Sequence, residues 1–358
     1  MLGSEFARKR NRVTDSGLPR LRLGLLGCGR VVERYHLPAL QKSTDFTIVT
    51  ACDAHHERRE WVRQYFAQLP VFESSSEMLE QIALDAVLVA TPPLTHCQLV
   101  TEALEMGTHV LVEKPMALTS SDARRMLETS LRVQRCLVVG FSRRFRSTYG
   151  QLQKRLAAVG REHIQAISFD ISSDQGAWRS VSGFLGDDRQ GGGVLDDMAS
   201  HQFDLLPRLA DQAIERVRVK NRIHHRDAEW IEYEAELDNG LAADCRVGHG
   251  SKRHDTLEIQ LRDRTLLVHR NRFFETRLPH RWSHWYKLRV VLDSTLHKTT
   301  QNEDAVTLFE KQLRAFAAAV RSEKRPLMND EAESGLRTVR AVEACRESLQ
   351  CAGKWVSL

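Results

Sequence analysis

The sequence predicts an α/β chain in two parts: an N-terminal doubly wound parallel sheet, then a C-terminal α+β domain on a largely antiparallel open sheet. Three observations carry this expectation. Through the first 145 residues, short apolar runs alternate with helical stretches, which is the βαβ rhythm of a parallel sheet. Beyond Tyr149 the runs follow one another as strands, with a hairpin signal at Asp238-Asn239-Gly240. Finally, 358 residues at 42% hydrophobic content suffice for two cores.

Composition narrows the function. Seven cysteines, at 28, 52, 97, 136, 245, 345 and 351, form no Cys-x-x-Cys pair. They read as reduced thiols of a cytoplasmic protein rather than a disulfide frame or a zinc site. No apolar run reaches the roughly 18 residues of a membrane span, and the charged start is unlike a signal peptide. The net charge of +5 sits mainly in residues 1–22, where Arg8, Lys9, Arg10, Arg12, Arg20 and Arg22 face only Glu5 and Asp15. Residues 1–19 therefore read as a disordered leader. The nearly neutral remainder shows no basic face for nucleic acid.

Leu21–Leu26 is the first strand, and it runs directly into Gly27-Cys28-Gly29-Arg30-Val31. Two glycines permit a tight turn and a close approach to a pyrophosphate, whose charge the next helix start favours. The third glycine of the usual dinucleotide fingerprint is absent, since position 32 is Val. A second strand, Phe46 to Cys52, ends at Asp53, 26 residues beyond Gly27, near the spacing of an acid that holds ribose hydroxyls. The same residue is equally placed to cap a helix beginning at His55.

Asp85 to Ala90 is the next strand. Thr91, Pro92 and His96 follow it at the mouth of the sheet, lining the nicotinamide end or capping a helix from Thr95 to Met106. The strand after that, His109–Val112, ends in Glu113-Lys114-Pro115. Charge is costly inside, so Glu113 and Lys114 belong at the carboxyl end, where open α/β sheets bind ligands. Pro115 biases Lys114 towards an extended backbone. A helix from Ser120 to Arg132 and a strand from Cys136 to Phe141 complete a dinucleotide-binding domain of residues 20–145.

Residues 146–358 form the second domain, with strands expected at His163–Ser172, Glu215–Ile223, Trp230–Leu237, Leu241–Val247, Thr256–Leu261 and Thr265–His269. Helices on one face would leave the other open, which implies pairing in a homodimer or homotetramer. Chemistry concentrates in Gly191-Gly192-Gly193 and the segment from Val194 to His201. Asp197 and His201 are four apart, so a helix starting near Leu195 puts them on one face. A carboxylate near a histidine tunes it for proton transfer. No further ligand accompanies them, so no metal is expected. Helices from Val306 to Val320 and Asp330 to Leu349 read as packing elements, with Leu308, Leu313, Phe316 and Val320 as a core face.

From about residue 20 to 358 the chain resembles the Gfo/Idh/MocA oxidoreductases, the family of glucose–fructose oxidoreductase and inositol 2-dehydrogenase. The resemblance rests on Gly27-Cys28-Gly29, Thr91-Pro92-Pro93 to His96, Glu113-Lys114-Pro115, Gly140 to Phe145, and the glycine run through Asp197 to His201. It departs at Ala199, where the family pattern has glycine. The resemblance implies a Rossmann cofactor domain and hydride transfer between nicotinamide and a secondary alcohol of a sugar, inositol or polyol. It assigns catalysis to Lys114, Asp197 and His201, while Arg144, Trp178 and residues 279–298 are candidates for contacting substrate. NAD is expected over NADP, because Asp53 repels a 2′-phosphate that Arg30 would otherwise attract. The rival reading is a non-catalytic dinucleotide-binding regulator on the same fold.

Overall fold

The computed structural model describes residues 17–174, 193–225, 228–250, 253–270, 272–276, 299–300, 303–322 and 325–358. Trp178, Gly191, Gly192 and the 279–298 segment lie outside the described residues. The chain divides into two compact units, the boundary falling between Ser142 and Arg143. Two described stretches differ from the expected division: Arg143–Phe145 falls in the second unit, and Asp304–Val339 in the first, the chain re-entering the second at Arg340.

The first unit begins with β1 (Leu21–Leu26), followed by α1, a π-turn over Val32–His36 running into a helix over Leu37–Lys42. There follow β2 (Phe46–Cys52), α2 (His56–Tyr65), β3 (Val71–Phe72), α3 (Ser75–Gln81) and β4 (Ala86–Val89). Then come α4 (His96–Glu105), β5 (His109–Val112), α5 (Ser120–Val133) and β6 (Leu137–Val139). The two-residue β3 and the short α3 were not expected, since neither is long enough to show a period. The strands align as β3-β2-β1-β4-β5-β6, every neighbour parallel.

Side chains of these strands alternate between two cores. Leu23, Leu25, Leu88, Leu111 and Val138 pack on one face with α1 and with Phe309, Leu313 and Phe316 of α8 (Ala305–Arg321; α6 and α7 are in the second unit). Val87, Val89, Val110, Val112 and Val139 pack on the other with α4 and α5. Covering both faces explains the nearly uninterrupted apolar runs in the sequence. Strand order reverses between β1 and β4, so their carboxyl ends open the crevice typical of this topology.

The second unit contains α6 (Ser147–Val159), β7 (Ile164–Asp174) and α7, a π-turn over Leu195–Ala199 continued by a helix over Ser200–Ala210. Next come β8 (Ile214–His225), β9 (Ala228–Leu237), β10 (Ala242–Gly250), β11 (Asp255–Leu261), β12 (Thr265–His269), β13 (Arg272–Thr276) and β14 (Thr299–Thr300). A long helix, α9 (Arg325–Gln350), runs from the first unit into this one, and β15 (Val356–Ser357) closes the chain. Among the described residues, nine strands align as β14-β13-β12-β11-β7-β10-β9-β8-β15, with β7–β10 the single parallel pair. The six expected strands are present, but α7 stands between the first two, and α6 was not anticipated.

Alternation again sets the faces. Ile167, Phe169, Ile171, Val217, Ile231, Tyr233, Cys245 and Val247 pack inward with Leu152, Phe203, Leu206, Val342 and Cys345 from the helices. On β8–β10 the outward side chains are mostly charged, with Ile223, 40% exposed and in register with Trp230, an apolar exception. Arg216 bonds Glu236, Lys220 bridges Glu234 and Asp244, and Arg222 bonds Glu229. Trp355 lies under both Arg216 and Arg218, each 4.8 Å from its ring centre.

The most demanding feature of this unit is Asp255, 2% exposed, which accepts from Arg143 at 2.9 Å and also bonds Arg146. Burial alone would raise its pKa, but the two guanidinium groups outweigh that and hold it below the ordinary 3.8. A depressed folded value stabilises the fold above the unfolded pKa, and the contribution disappears as pH falls through the folded value. We expect Asp255→Asn to lower stability by about 3–5 kcal/mol at neutral pH, since two buried cations lose their counter-charge. In acid-unfolding curves followed by circular dichroism, the gap between variant and wild type should narrow below pH 3.8.

Candidate active site

The loop after β1 is built by close backbone packing. Gly27 has φ +88°, and a Cβ there would sit 2.7 Å from the Ala90 carbonyl oxygen and 2.8 Å from Cγ2 of Thr91. Glycine is therefore required both by conformation and by the neighbouring strand end. At Gly29 a Cβ would meet no protein atom within 4 Å. Arg30 and Val31, which follow it into α1, are half-buried.

Asp53, at the end of β2, ties this loop down. One carboxylate oxygen accepts the Cys28 amide at 2.7 Å, and the other accepts the His55 amide at 2.9 Å. It thus braces the glycine turn and orders the entry to α2, although α2 itself has no side-chain cap. Its neighbours extend the brace. Arg58 donates to the Cys28 carbonyl at 2.6 Å and to Glu33 at 3.1 Å, and its guanidinium lies 4.6 Å from the Trp61 ring centre. Cys28 is fully buried, and burial, reinforced by the Asp53 charge, pushes its thiol pKa well up. It acts as a small apolar residue rather than a nucleophile.

The loops after β4 and β5 are joined by His96, which has no exposed surface. Its Nδ1 lies 2.9 Å from the Pro115 carbonyl and its Nε2 2.9 Å from the Thr91 carbonyl. Burial lowers its pKa against the upward pull of those carbonyls, so the neutral ring donates to one at a time. His96 is therefore a fastener beneath the loops; it presents no nitrogen outward. Thr91 accepts from the Thr95 hydroxyl at 2.7 Å, and Thr91 and Pro92 are half-buried.

Lys114 emerges half-buried from the end of β5. The preceding Glu113 is 8% exposed and pairs with His36 of α1, Nε2 to Oε1 at 2.7 Å. Its other oxygen accepts the Lys114 backbone amide at 3.2 Å. The Glu113 carboxylate is thereby engaged by a histidine and by the lysine's backbone.

In the second unit, the Asp197 amide donates to the Gly193 carbonyl at 3.0 Å, which opens the π-turn of α7. The regular helix begins only at Ser200, one residue before His201, and has no side-chain cap. Gln202 staples α7 to the sheet, donating to the Phe169 carbonyl at 2.6 Å and accepting from the Tyr233 hydroxyl at 2.5 Å. His201 is 8% exposed. The Asp197 carboxylate meets Nε2 of His249 at 2.9 Å, a strand residue that no motif announced. Its signal lay in the alternation of Ala243, Cys245 and Val247, which directs residue 249 inward. Arg144, expected at substrate, grips Asp204 through Nε at 2.8 and 2.7 Å to its two oxygens, and Asp204 is buried. An acid lying inside α7 needs a cation, and that need decides where this guanidinium goes. Among the described residues, no group of three His, Cys, Asp or Glu side chains is placed to hold a metal ion.

Comparison with known proteins finds similarity to the first unit above all. Residues 21–141 match the GFO/IDH/MocA model, described as an oxidoreductase family with an NAD-binding Rossmann fold. This segment, within the first unit, is similar to the Gfo/Idh/MocA oxidoreductases. Myo-inositol 2-dehydrogenase of Thermotoga maritima is 27% identical over 200 residues, 55% of this chain and 57% of that protein. The chain thus spans little more than half of that relative. A dTDP-3,4-didehydro-2,6-dideoxy-alpha-D-glucose 3-reductase of Actinomadura kijaniata is 26% identical over 91% of this chain and 95% of its own. Among solved structures, an inositol dehydrogenase homolog of Azotobacter vinelandii, complexed with NADH and myo-inositol, superposes with a TM-score of 0.76. It is 20% identical and covers 95% of this chain and 98% of its own, so it is similar in fold across both units. No helix among the described residues is long and apolar enough to cross a membrane.

The residues present fit a dinucleotide: a tight glycine turn with room at Gly29, a helical start after it, and an acid at the end of β2. The two glycines should separate cleanly on mutation. Gly27→Ala, strained at positive φ and against a backbone carbonyl, should cost about 1–3 kcal/mol in denaturant unfolding. Gly29→Ala should leave stability within about 0.5 kcal/mol but weaken NADH binding by about tenfold, measured by fluorescence quenching.

Proposed function

We propose that the chain is an NAD-dependent oxidoreductase that moves a hydride between nicotinamide and a secondary alcohol or ketone of a sugar, inositol or related polyol. The observation that carries this reading is Lys114, a half-buried cation at the carboxyl end of β5, inside the segment matched by an NAD-binding oxidoreductase family. The names of the relatives, an inositol dehydrogenase and a deoxysugar reductase among them, support the substrate class.

The bound dinucleotide supplies the hydride acceptor, and the protein supplies position and charge. In this reading His201 takes the proton of the substrate hydroxyl. Lys114 stabilises the negative charge that develops on that oxygen, as a preorganised cation does. Asp197 fixes the orientation of the acid–base groups and is itself held by His249. The presence of Lys114, Asp197 and His201 together favours an enzyme over a regulator of the same fold.

A panel of myo-inositol, scyllo-inositol, glucose and their keto forms, assayed by NADH absorbance, tests the class directly; no turnover with any secondary alcohol or ketone would defeat it. Lys114→Met and His201→Ala should each lower kcat by about a hundredfold or more, the range of general acid–base groups. Loss of a transition-state interaction lowers kcat and kcat/KM together, whereas loss of a binding group raises KM. A Lys114→Met enzyme with near-normal kcat at saturating NAD would remove this residue from the chemistry.

Asp53 sets the cofactor preference in this reading. Each carboxylate oxygen has a second lone pair beyond the amide it accepts, and ribose hydroxyls can use it, while a 2′-phosphate would face like charge. Asp53→Ser should weaken NADH by about tenfold and narrow the preference over NADPH. Titrations in which wild type binds NADPH more tightly than NADH would refute the assignment.

A further inference from the structure

We propose that His36 is a positioning residue for Lys114 and acts through Glu113; the proposal rests on the reading of Lys114 as a catalytic group. A buried carboxylate needs donors wherever the chain places it. Glu113 has one on each oxygen: His36 Nε2 at 2.7 Å and the Lys114 backbone amide at 3.2 Å. A single carboxylate therefore couples a side chain of α1 to the backbone of the lysine. His36 has no exposed surface and lies in the π-turn Val32–His36, an irregularity frequent at functional sites. Its ring is held edge-on by Phe309 of α8, centroids 4.6 Å apart, and Tyr35 stacks on the same phenyl at 5.1 Å.

The carboxylate has no room to swing away. Gly140, just past β6, donates its amide to the Val112 carbonyl at 2.7 Å. A Cβ at Gly140 would stand 3.1 Å from both Cδ and Oε2 of Glu113, so the acid lies directly against that backbone. On the far side of Lys114, the Pro115 carbonyl is held by His96. The lysine backbone is thus pinned from both neighbours: through Glu113 and His36 on one side, through Pro115 and His96 on the other. A buried polar pair rarely outperforms apolar side chains of similar shape as a stabiliser. What His36 and Glu113 add is direction, and misplacement of a reacting group by about 1 Å can cost a hundredfold in rate.

The test follows Lys114 itself. In protein whose lysines are reductively dimethylated with 13C-formaldehyde, the Lys114 resonance is assigned by its loss in Lys114→Met. His36→Phe, which keeps the ring but not the donor, should move that resonance and leave other lysine signals in place. It should lower kcat for the polyol oxidised by wild type by about ten- to a hundredfold, with KM for NAD within about twofold. His36→Gln, whose amide can replace the Nε2–H donor, should recover most of the loss. With Glu113→Gln already present, His36→Phe should cost less than about twofold more, because both act on one path. If His36→Phe does not fold, Gly140→Ala displaces the Glu113 carboxylate without removing a group and should move the same resonance. An unmoved Lys114 resonance in folded His36→Phe or Gly140→Ala, or fully additive losses in the double variant, overturns the proposal. Wild-type kcat in Lys114→Met would instead defeat the catalytic reading, and the resonance would still judge the coupling of His36 to Lys114.

Discussion

A carboxylate inside a protein is tolerable only where donors converge on it, and both units are arranged around that constraint. Asp53 is met by the amides of Cys28 and His55, Glu113 by His36 and the Lys114 amide, Asp204 by Arg144, and Asp255 by Arg143 and Arg146. Each pairing fixes a loop or helix that would otherwise be held by packing alone. Packing is non-directional; a donor at 2.7 Å is not. The acids of the first unit therefore determine how its glycine turn and its lysine-bearing strand end are shaped. The parallel sheet supplies the place, and the buried charges supply the angle.

This explains what could and could not be read from the sequence. Uninterrupted apolar runs gave β1, β2, β4 and β5 nearly to the residue, because a sheet covered on both faces leaves little ambiguity in its strands. Alternation likewise exposed β8 to β12. The helix Ser147–Val159 was missed because its start coincides with the change of period, and β13 to β15 are short or follow atypical segments. Motifs located Gly27, Asp53 and Lys114, each marked by a residue type that is costly elsewhere. His36 and His249 were invisible as partners, because pairing with Glu113 and with Asp197 joins residues 77 and 52 positions apart. Arg144 illustrates the converse: its motif was legible, but the acid that captures it, Asp204, lies 60 residues away.

The resemblance read from the sequence expects glycine where this chain has Ala199, and the backbone shows why a methyl is accepted. Ala199 is at φ −69°, ψ −28°, ordinary right-handed helix, so no left-handed conformation demands glycine. It is fully buried among apolar neighbours of the second core, where a methyl adds contact. Gly27 is the opposite case, at φ +88° and against the Ala90 carbonyl, where alanine has neither the conformation nor the room. Two glycines of one motif family are therefore not equivalent evidence. The residue that a backbone forbids substituting marks the tight turn after β1. The residue that it permits substituting marks a position where the helix start is set instead by its neighbours, the Gly193 carbonyl before it and the Gln202 staple after it.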